Sequence, residues 1–282
     1  MSNTAPPWVV PVMRAGYAAR GAVYTVVGGL ALGAAFDGRE AEGTTSALAE
    51  LRDEVWGIPM LWAIALGLWA YTIWRLIDAA LDLEDYGADA KGLIARGGQI
   101  VTGLIHATIG ISVAGLALGQ SSGGGDSAKD WTAKIMTLPY GPSLIIGVGL
   151  VTLCAGIFYI HKGLAGKYKR TLRVTPLTER LDPAMKYGFV AQGVVIGIIG
   201  ALIVYAGFTT DPEQAGGVGE ALHQLRGVAY GRILLGVVAL GLIAFAVENF
   251  VESVYRIIPR CAGPDIRTLA MQAKAKAQQA AS

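Results

Sequence analysis

Six stretches of the chain, approximately residues 17–36, 57–77, 97–118, 143–160, 187–208 and 231–250, are apolar over the span that a helix needs to cross a bilayer, or approach it with a short polar flank. That span is about 20 residues for roughly 30 Å of hydrocarbon. Runs such as Ile196-Gly197-Ile198-Ile199-Gly200-Ala201-Leu202-Ile203-Val204 do not alternate apolar with polar residues. A membrane β-barrel requires that alternation, so all six stretches are predicted to be helices. The fold class expected is an all-α polytopic membrane protein.

Composition agrees. Only 16% of the 282 residues are charged and 53% are apolar, with 39 glycines. A soluble domain carries about 25% charge. The mean hydropathy is +0.49. Disorder, a nucleic-acid-binding domain and a disulfide scaffold are excluded on these grounds. Arg14 ahead of an apolar run ending in Gly33-Ala34-Ala35 has the outline of a secretory signal. The run is longer than a signal core and matches two later segments, so it is expected to belong to the mature fold.

The charges are unevenly divided. One side, formed by the N-terminus, the 2–3 loop, the 4–5 loop and the C-terminal tail, holds 17 of the 23 basic and 10 of the 21 acidic residues, a balance of +7. The other side holds Arg39, Arg52, Lys129, Lys134, Arg226 and Arg232 with 11 acids, a balance of −5. By the positive-inside rule both termini are expected in the cytoplasm. The basic 4–5 loop, with Lys162, Lys167, Lys169, Arg170, Arg173, Arg180 and Lys186, would lie against anionic lipid. Cys154 falls in the fourth span and Cys261 in the tail, on different levels of a reducing compartment, so no disulfide is expected.

The chain repeats. A shift of 174 residues aligns 47–71 with 221–245 without a gap, 11 of the 25 pairs being identical, among them Gly57 with Gly231 and Gly67 with Gly241. The same shift sets Asp78 against Glu252. Ala19-Arg20-Gly21, Ala95-Arg96-Gly97 and Ala191-Gln192-Gly193 open the three copies. Each copy reads as a helix, a loop with a short amphipathic stretch, a Trp/Tyr-Gly start and a second helix; in the middle copy the stretch is Trp131 to Leu138, followed by Tyr140-Gly141. Two spans per copy place all three the same way up, as parallel repeats. The units run 14–86, 90–165 and 185–258, followed by a cytoplasmic tail, 259–282, in which Ile266 to Ala280 has the composition of a short helix. That tail is too poor in apolar residues for a core and is expected either to be disordered or to dock on a partner or on lipid.

These motifs resemble the bacterial membrane proteins grouped as domain-of-unknown-function family 1206. The likeness lies in the three two-helix repeats, the Ala95-Arg96-Gly97 opening, the second helix Gly67-Leu68-Trp69-Ala70-Tyr71-Thr72-Ile73-Trp74-Arg75-Leu76, and the stretch from Tyr230-Gly231-Arg232 to Leu240-Gly241-Leu242. The resemblance covers about residues 14–258 and implies a six-helix inner-membrane protein, with no activity attached. Gln192 departs from the pattern at the position of the repeated Arg.

Ionisable groups at membrane depth mark functional sites by default, since each costs about 2.5 to 3.5 kcal/mol when unpaired in hydrocarbon. Here they gather near the expected cytoplasmic ends: Arg20, Arg96 and Gln192 begin the first helices, and Arg75, Asp78, Glu248, Asn249 and Glu252 end the second ones. One reading is a polar vestibule for an ion or an anionic headgroup. The other is mutual neutralisation, Arg20 and Arg96 pairing with Asp78, Glu248 or Glu252. His106, ten residues past Arg96, is expected about 15 Å further in, near the bilayer middle, hydrogen-bonding a neighbouring helix. It has no second His at matching depth for haem or pigment.

Glycines four residues apart, Gly29 with Gly33, Gly115 with Gly119 and Gly193 with Gly197, suggest close helix packing. Gly123-Gly124-Gly125-Asp126 lacks the ending of a phosphate loop and reads as a connector. Trp8, Trp56, Trp74, Trp131 and Tyr140 fall at expected interfaces, as aromatic anchors do. No catalytic constellation, metal-ligand spacing or cofactor motif emerges, and the partners implied are membrane lipids and other membrane subunits, with no nucleic acid. The sequence therefore points to a non-enzymatic structural or accessory protein, with a small channel or transporter along the pseudo-threefold axis as the alternative.

Overall fold

The computed structural model describes residues 6–37, 43–120, 127–259 and 267–281. Six long helices correspond to the six apolar stretches: α1 (Val9–Asp37), α3 (Gly57–Leu81), α4 (Ala90–Ala117), α6 (Gly141–Leu164), α8 (Asp182–Thr209) and α10 (Gly231–Tyr255). Shorter helices α2 (Thr44–Glu50), α5 (Ser127–Met136) and α9 (Val218–Gly227) fill the three inter-span loops at the acidic end, and α7 (Pro176–Arg180) and α11 (Leu269–Ala281) lie at the basic end. The first helix of each repeat begins five to eight residues earlier than hydropathy indicates. Hydropathy finds where the lipid is and does not mark helical turns that lie outside it. The Asp89 carboxylate accepts the Gly92 amide at 2.9 Å and so starts α4 outside the apolar run. The connector Gly123-Gly124-Gly125-Asp126, Arg39, Cys261 and Ile266 lie outside the described residues; Cys154 is an exposed free thiol.

The three aromatic-Gly starts have one cause. Tyr140 and Tyr230 sit in left-handed backbone at φ 61°, and the next residue must clear the turn before it. A side chain at Gly57, Gly141 or Gly231 would run into the carbonyl of Leu51, Ile135 or Arg226 respectively. Each second helix therefore rises straight from the end of its amphipathic stretch.

Within the first and third hairpins the two helices are latched by reciprocal small residues. A methyl on Gly16 would lie 2.5 Å from the Tyr71 Cα, and Gly67 leaves room for the Ala19 methyl. The third hairpin repeats this device, with Gly188 a would-be 2.5 Å from Phe245 backbone and Gly241 against Ala191. In register with these, the middle hairpin carries Ala155 where the others have Tyr71 and Phe245, and Val151 where they have Gly67 and Gly241. Gly92, the counterpart of Gly16, faces the carbonyls of its own loop, Tyr86 and Gly87. Among the described residues α4 and α6 accordingly form no packed interface.

The six helices follow one another in the order α4, α3, α1, α10, α8, α6 as an arc with its ends unjoined, α1 and α10 in the middle. The contact between repeats two and three is the closest approach. Gly149, Gly156 and Gly163 on α6 meet Gly193, Gly200 and Gly207 on α8, with would-be methyls 2.5–2.8 Å from opposing atoms. Two antiparallel glycine series, each spaced by seven, bring the backbones together, the geometry of small-residue packing between membrane helices. The four-residue spacing packs in part: Gly193 and Gly197 straddle Gly156, whose would-be methyl lies 2.6 Å from the Gly197 amide nitrogen, whereas Gly29 faces open space and Gly115 meets only the side chain of Gln120.

The core is apolar from the middle of the bundle to the acidic end. Val23, Val27 and Ala31 pack with Leu61, Ile64, Val113, Val195, Leu235 and Leu242, and Ala47–Leu48 and Ala221–Leu222 close it from the loops. At the basic end the 4–5 loop is stitched to the segment beyond α10: the Ile257 amide donates to the Thr171 carbonyl at 2.7 Å, and the Leu269 amide to Leu172 at 2.9 Å. The start of α11 thus docks on the chain's own loop, with Leu269 buried beside Tyr168 and Leu172. For this start of the tail helix, the chain's own loop takes the place of the expected partner or lipid. Trp8, Trp56, Trp131 and Tyr140 are exposed, but Trp74 is wholly buried among Met13, Tyr17, Tyr71 and Leu83, a core residue and no interface anchor.

Candidate functional site

The polar side chains of the basic end form two layers. In the outer layer Arg75 is 3.5 Å from Asp78 and 3.6 Å from Glu84, and Arg256 pairs with both Glu84 and Glu252. Helical spacing explains two of these contacts, Arg75–Asp78 at three residues and Glu252–Arg256 at four. The others arise because the chain turns back after α3, carrying Glu84 beneath the end of α10. Gln99 of α4 donates to Asp78 Oδ2 at 2.6 Å, and the Glu84 amide to Asp78 Oδ1 at 3.2 Å. Tyr17 OH accepts from Arg75 Nη2 at 3.1 Å, with the Arg256 guanidinium 5.0 Å above its ring.

Burial alone would raise the Glu84 carboxyl; Arg256 and Arg75 outweigh it and hold that group down at about 2. The same burial disfavours the charged Arg256 guanidinium, but Glu252 and Glu84 keep its pKa well above the usual value. Tyr86, whose hydroxyl donates to Glu84 Oε2 at 2.7 Å, is pushed up by burial and by that carboxylate. Two arginines among three carboxylates make a paired, buried network, the kind whose single members are costly to remove.

The inner layer centres on Arg20. Its Nη1 donates to Tyr71 OH at 3.0 Å, the hydroxyl that also accepts Arg75 Nε at 2.8 Å. The guanidinium carbon lies 4.6, 5.7 and 5.6 Å from the rings of Tyr71, Tyr24 and Phe245. Gln192 donates to Tyr24 OH at 2.9 Å, His106 lies 4.7 Å from the Tyr71 ring, and Tyr159 stands 6.3 Å from Phe245, within electrostatic reach of Arg20. Every long helix thus contributes a side chain around one guanidinium. No carboxylate of the described residues is within ion-pairing distance of Arg20, and its Nε and the Gln192 Oε1 are buried without a hydrogen-bond partner.

The residues picked out in the sequence therefore divide. Arg75, Asp78 and Glu252 meet in the outer layer; Arg20, Gln192 and His106 meet in the inner one. Arg96 joins neither: its Nε donates to the Ala79 carbonyl at 2.7 Å and Nη2 to Ala80 at 3.3 Å, capping the C-terminal end of α3. The expected pairing of Arg20 and Arg96 with acids is thus replaced by Arg75 and Arg256. Asn249 bonds its own helix, Nδ2 to the Phe245 carbonyl at 2.7 Å. Glu248 is 2% exposed, with Glu252, Lys162 and Arg20 the foremost charges acting on it.

His106 is not a solitary group deeper than Arg20. α4 runs past the end of α3, so Arg96 hangs outside and His106 arrives beside Tyr71; its Nδ1 bonds the Thr102 carbonyl of its own helix at 2.7 Å rather than a neighbouring helix. Glu84, Arg256, Tyr17, Tyr71 and Gln99 were not singled out by sequence. The four-residue step from Glu252 to Arg256 was the one signal present; nothing local marks Glu84.

Fold and site together define a polytopic α-helical membrane protein of three parallel hairpins, closed by a buried ionic network at one end. The chain belongs to the family described as Domain of Unknown Function (DUF1206), whose model matches three times, at residues 15–82, 97–166 and 187–256. It is similar to the uncharacterized protein YxxB of Bacillus subtilis (strain 168), 27% identical over 256 residues that cover 89% of this chain and 92% of that one. No solved structure matches it.

Proposed function

We propose that the protein is a non-enzymatic component of the bacterial inner membrane, both termini cytoplasmic, serving as a structural or accessory subunit of a membrane complex. The observation that carries this reading is the apolar fill of the axis. Beyond Arg20 and His106 the interior holds Val23, Val27, Ala31, Ile64, Val113, Val195 and Leu235, and the described residues offer no polar relay to the acidic end. The outer charges are spent on one another, as a network that fixes helix positions requires. The excess of Lys and Arg on the side of the termini supports the orientation.

Ion and proton flux in liposomes holding the purified chain tests this. Flux equal to that of empty liposomes is expected, with Arg75→Ala and Arg256→Ala lowering only the unfolding temperature. Flux above that level, abolished by Arg20→Ala or Glu248→Ala, would replace this reading by the alternative of a small channel or transporter.

A further inference from the structure

The inner layer is incomplete on one side. Arg20 is 4% exposed, carries a charge that cannot be shed, and is ringed by the aromatic faces of Tyr71, Tyr24 and Phe245, with no carboxylate of the described residues within ion-pairing distance; Glu248 acts on it only from further off. A guanidinium in such a place normally finds a carboxylate or phosphate, because each charge-assisted hydrogen bond there is worth about twice a neutral one. Its Nε has no acceptor, and a second buried polar atom, Gln192 Oε1, stands unsatisfied in the same layer.

The gap falls where the repeat breaks. Tyr71 and Phe245 occupy equivalent positions and both press their rings on Arg20; the third equivalent is Ala155, a methyl. Ala155 and Tyr159 are half-buried on α6, His106 is 9% exposed on α4, and these two helices have no packed interface between them. With Nδ1 committed to Thr102, His106 leaves Nε2 with no bond among the described residues. The third repeat-equivalent of the two rings on the cation is therefore a methyl, in the hairpin whose helices, among the described residues, are not latched together.

We propose that this seam admits the head of an anionic amphiphile, a carboxylate- or phosphate-headed lipid whose head bonds Arg20 while its chain lies between α4 and α6. The cation selects the head, the aromatic faces of Tyr24, Tyr159 and Phe245 exclude water from it, and Val151 of α6 and Ile105 of α4, both exposed, offer apolar surface to a hydrocarbon chain. A zwitterionic head brings an ammonium toward Arg20 and is disfavoured. This binding role lies beyond the structural reading and does not depend on the absence of flux.

The test is native mass spectrometry of the full chain in detergent, with oleate, phosphatidylglycerol and phosphatidylcholine added separately. One molecule of oleate or phosphatidylglycerol per chain should be retained, with affinity about tenfold or more above phosphatidylcholine. Arg20→Gln, which copies the residue at the equivalent position of the third repeat, should erase that preference, and Arg20→Lys should keep most of it. Ala155→Phe, restoring the ring its counterparts carry, should abolish retention while leaving the unfolding temperature unchanged; this variant decides the matter if Arg20→Gln does not fold. Arg96→Gln should bind as the wild type does. Equal retention of phosphatidylcholine, undiminished binding by Arg20→Gln or Ala155→Phe, or an equal loss with Arg96→Gln would overturn the proposal. So would displacement of the bound lipid by inorganic phosphate at low millimolar concentration, which would assign the site to a free anion.

Discussion

The outer hairpins and the middle hairpin are built from one plan, yet the first and third are shut and the second is not. In the closed pair a glycine on each helix receives the partner's backbone or methyl, Gly16 with Tyr71 and Gly67 with Ala19, then Gly188 with Phe245 and Gly241 with Ala191. The middle hairpin has helices of similar length but lacks the receiving glycine and the aromatic knob, having Val151 and Ala155 instead. In lipid no hydrophobic force draws two apolar helices together, so close fit must do it. Two positions per hairpin therefore separate a latched pair from an open seam. α6, released from α4, is held by its glycine series against α8.

The largest effect should come from the network that ties the ends of the closed hairpins together. Arg256→Ala leaves Glu84 and Glu252 buried without their partner and should cost about 3 to 5 kcal/mol, read by denaturant or thermal unfolding in detergent. Loss below about 1 kcal/mol would mean that the pairs are solvated and dispensable.

Next come the latches themselves. Gly67→Leu or Gly241→Leu should destabilise by about 1 to 3 kcal/mol through overpacking, whereas the equivalent Val151→Leu in the open hairpin should change stability by less than about 0.5 kcal/mol. Equal effects at all three positions would erase the distinction between the hairpins.

A smaller effect, and one with a sign, belongs to pH. Glu84 titrates near 2 in the folded protein against an ordinary 4.5, so its contribution is fully present above about pH 4.5 and fades as pH falls toward 2. Glu84→Gln should flatten the dependence of unfolding temperature on pH across that window. An unchanged slope would place the acid sensitivity elsewhere. Smallest of all, Arg96→Gln should cost about 0.3 to 1 kcal/mol, the value of a cation at a helix C-terminus. A larger loss would make Arg96 part of the buried network after all.

The hydrophobic pattern made all six long helices and their threefold repetition legible, because lipid demands a long uninterrupted apolar run and duplication preserved glycines such as Gly57 and Gly231. What stayed hidden was direction. Arg20 and Arg96 share the tripeptide Ala-Arg-Gly, but α4 extends beyond α3, so one guanidinium enters the centre and the other caps a helix end. Glu84 and Arg256 lie just past the apolar runs, where no periodicity marks them, and they meet only because chain reversal brings them together. The glycine spacing that matters between α6 and α8 is seven, set by how two antiparallel helices cross. No single helix announces its partner's register.

The claim that the middle hairpin is unlatched while its two sisters are closed can be measured directly by paired cysteines at three equivalent positions. On a Cys154→Ser, Cys261→Ser background these are Val23→Cys with Ile64→Cys, Gln99→Cys with Val148→Cys, and Val195→Cys with Val238→Cys. Oxidative cross-linking in native membranes should join the first and third pairs and leave the second unjoined. Cross-linking of the Gln99 and Val148 pair as readily as the others would contradict the account.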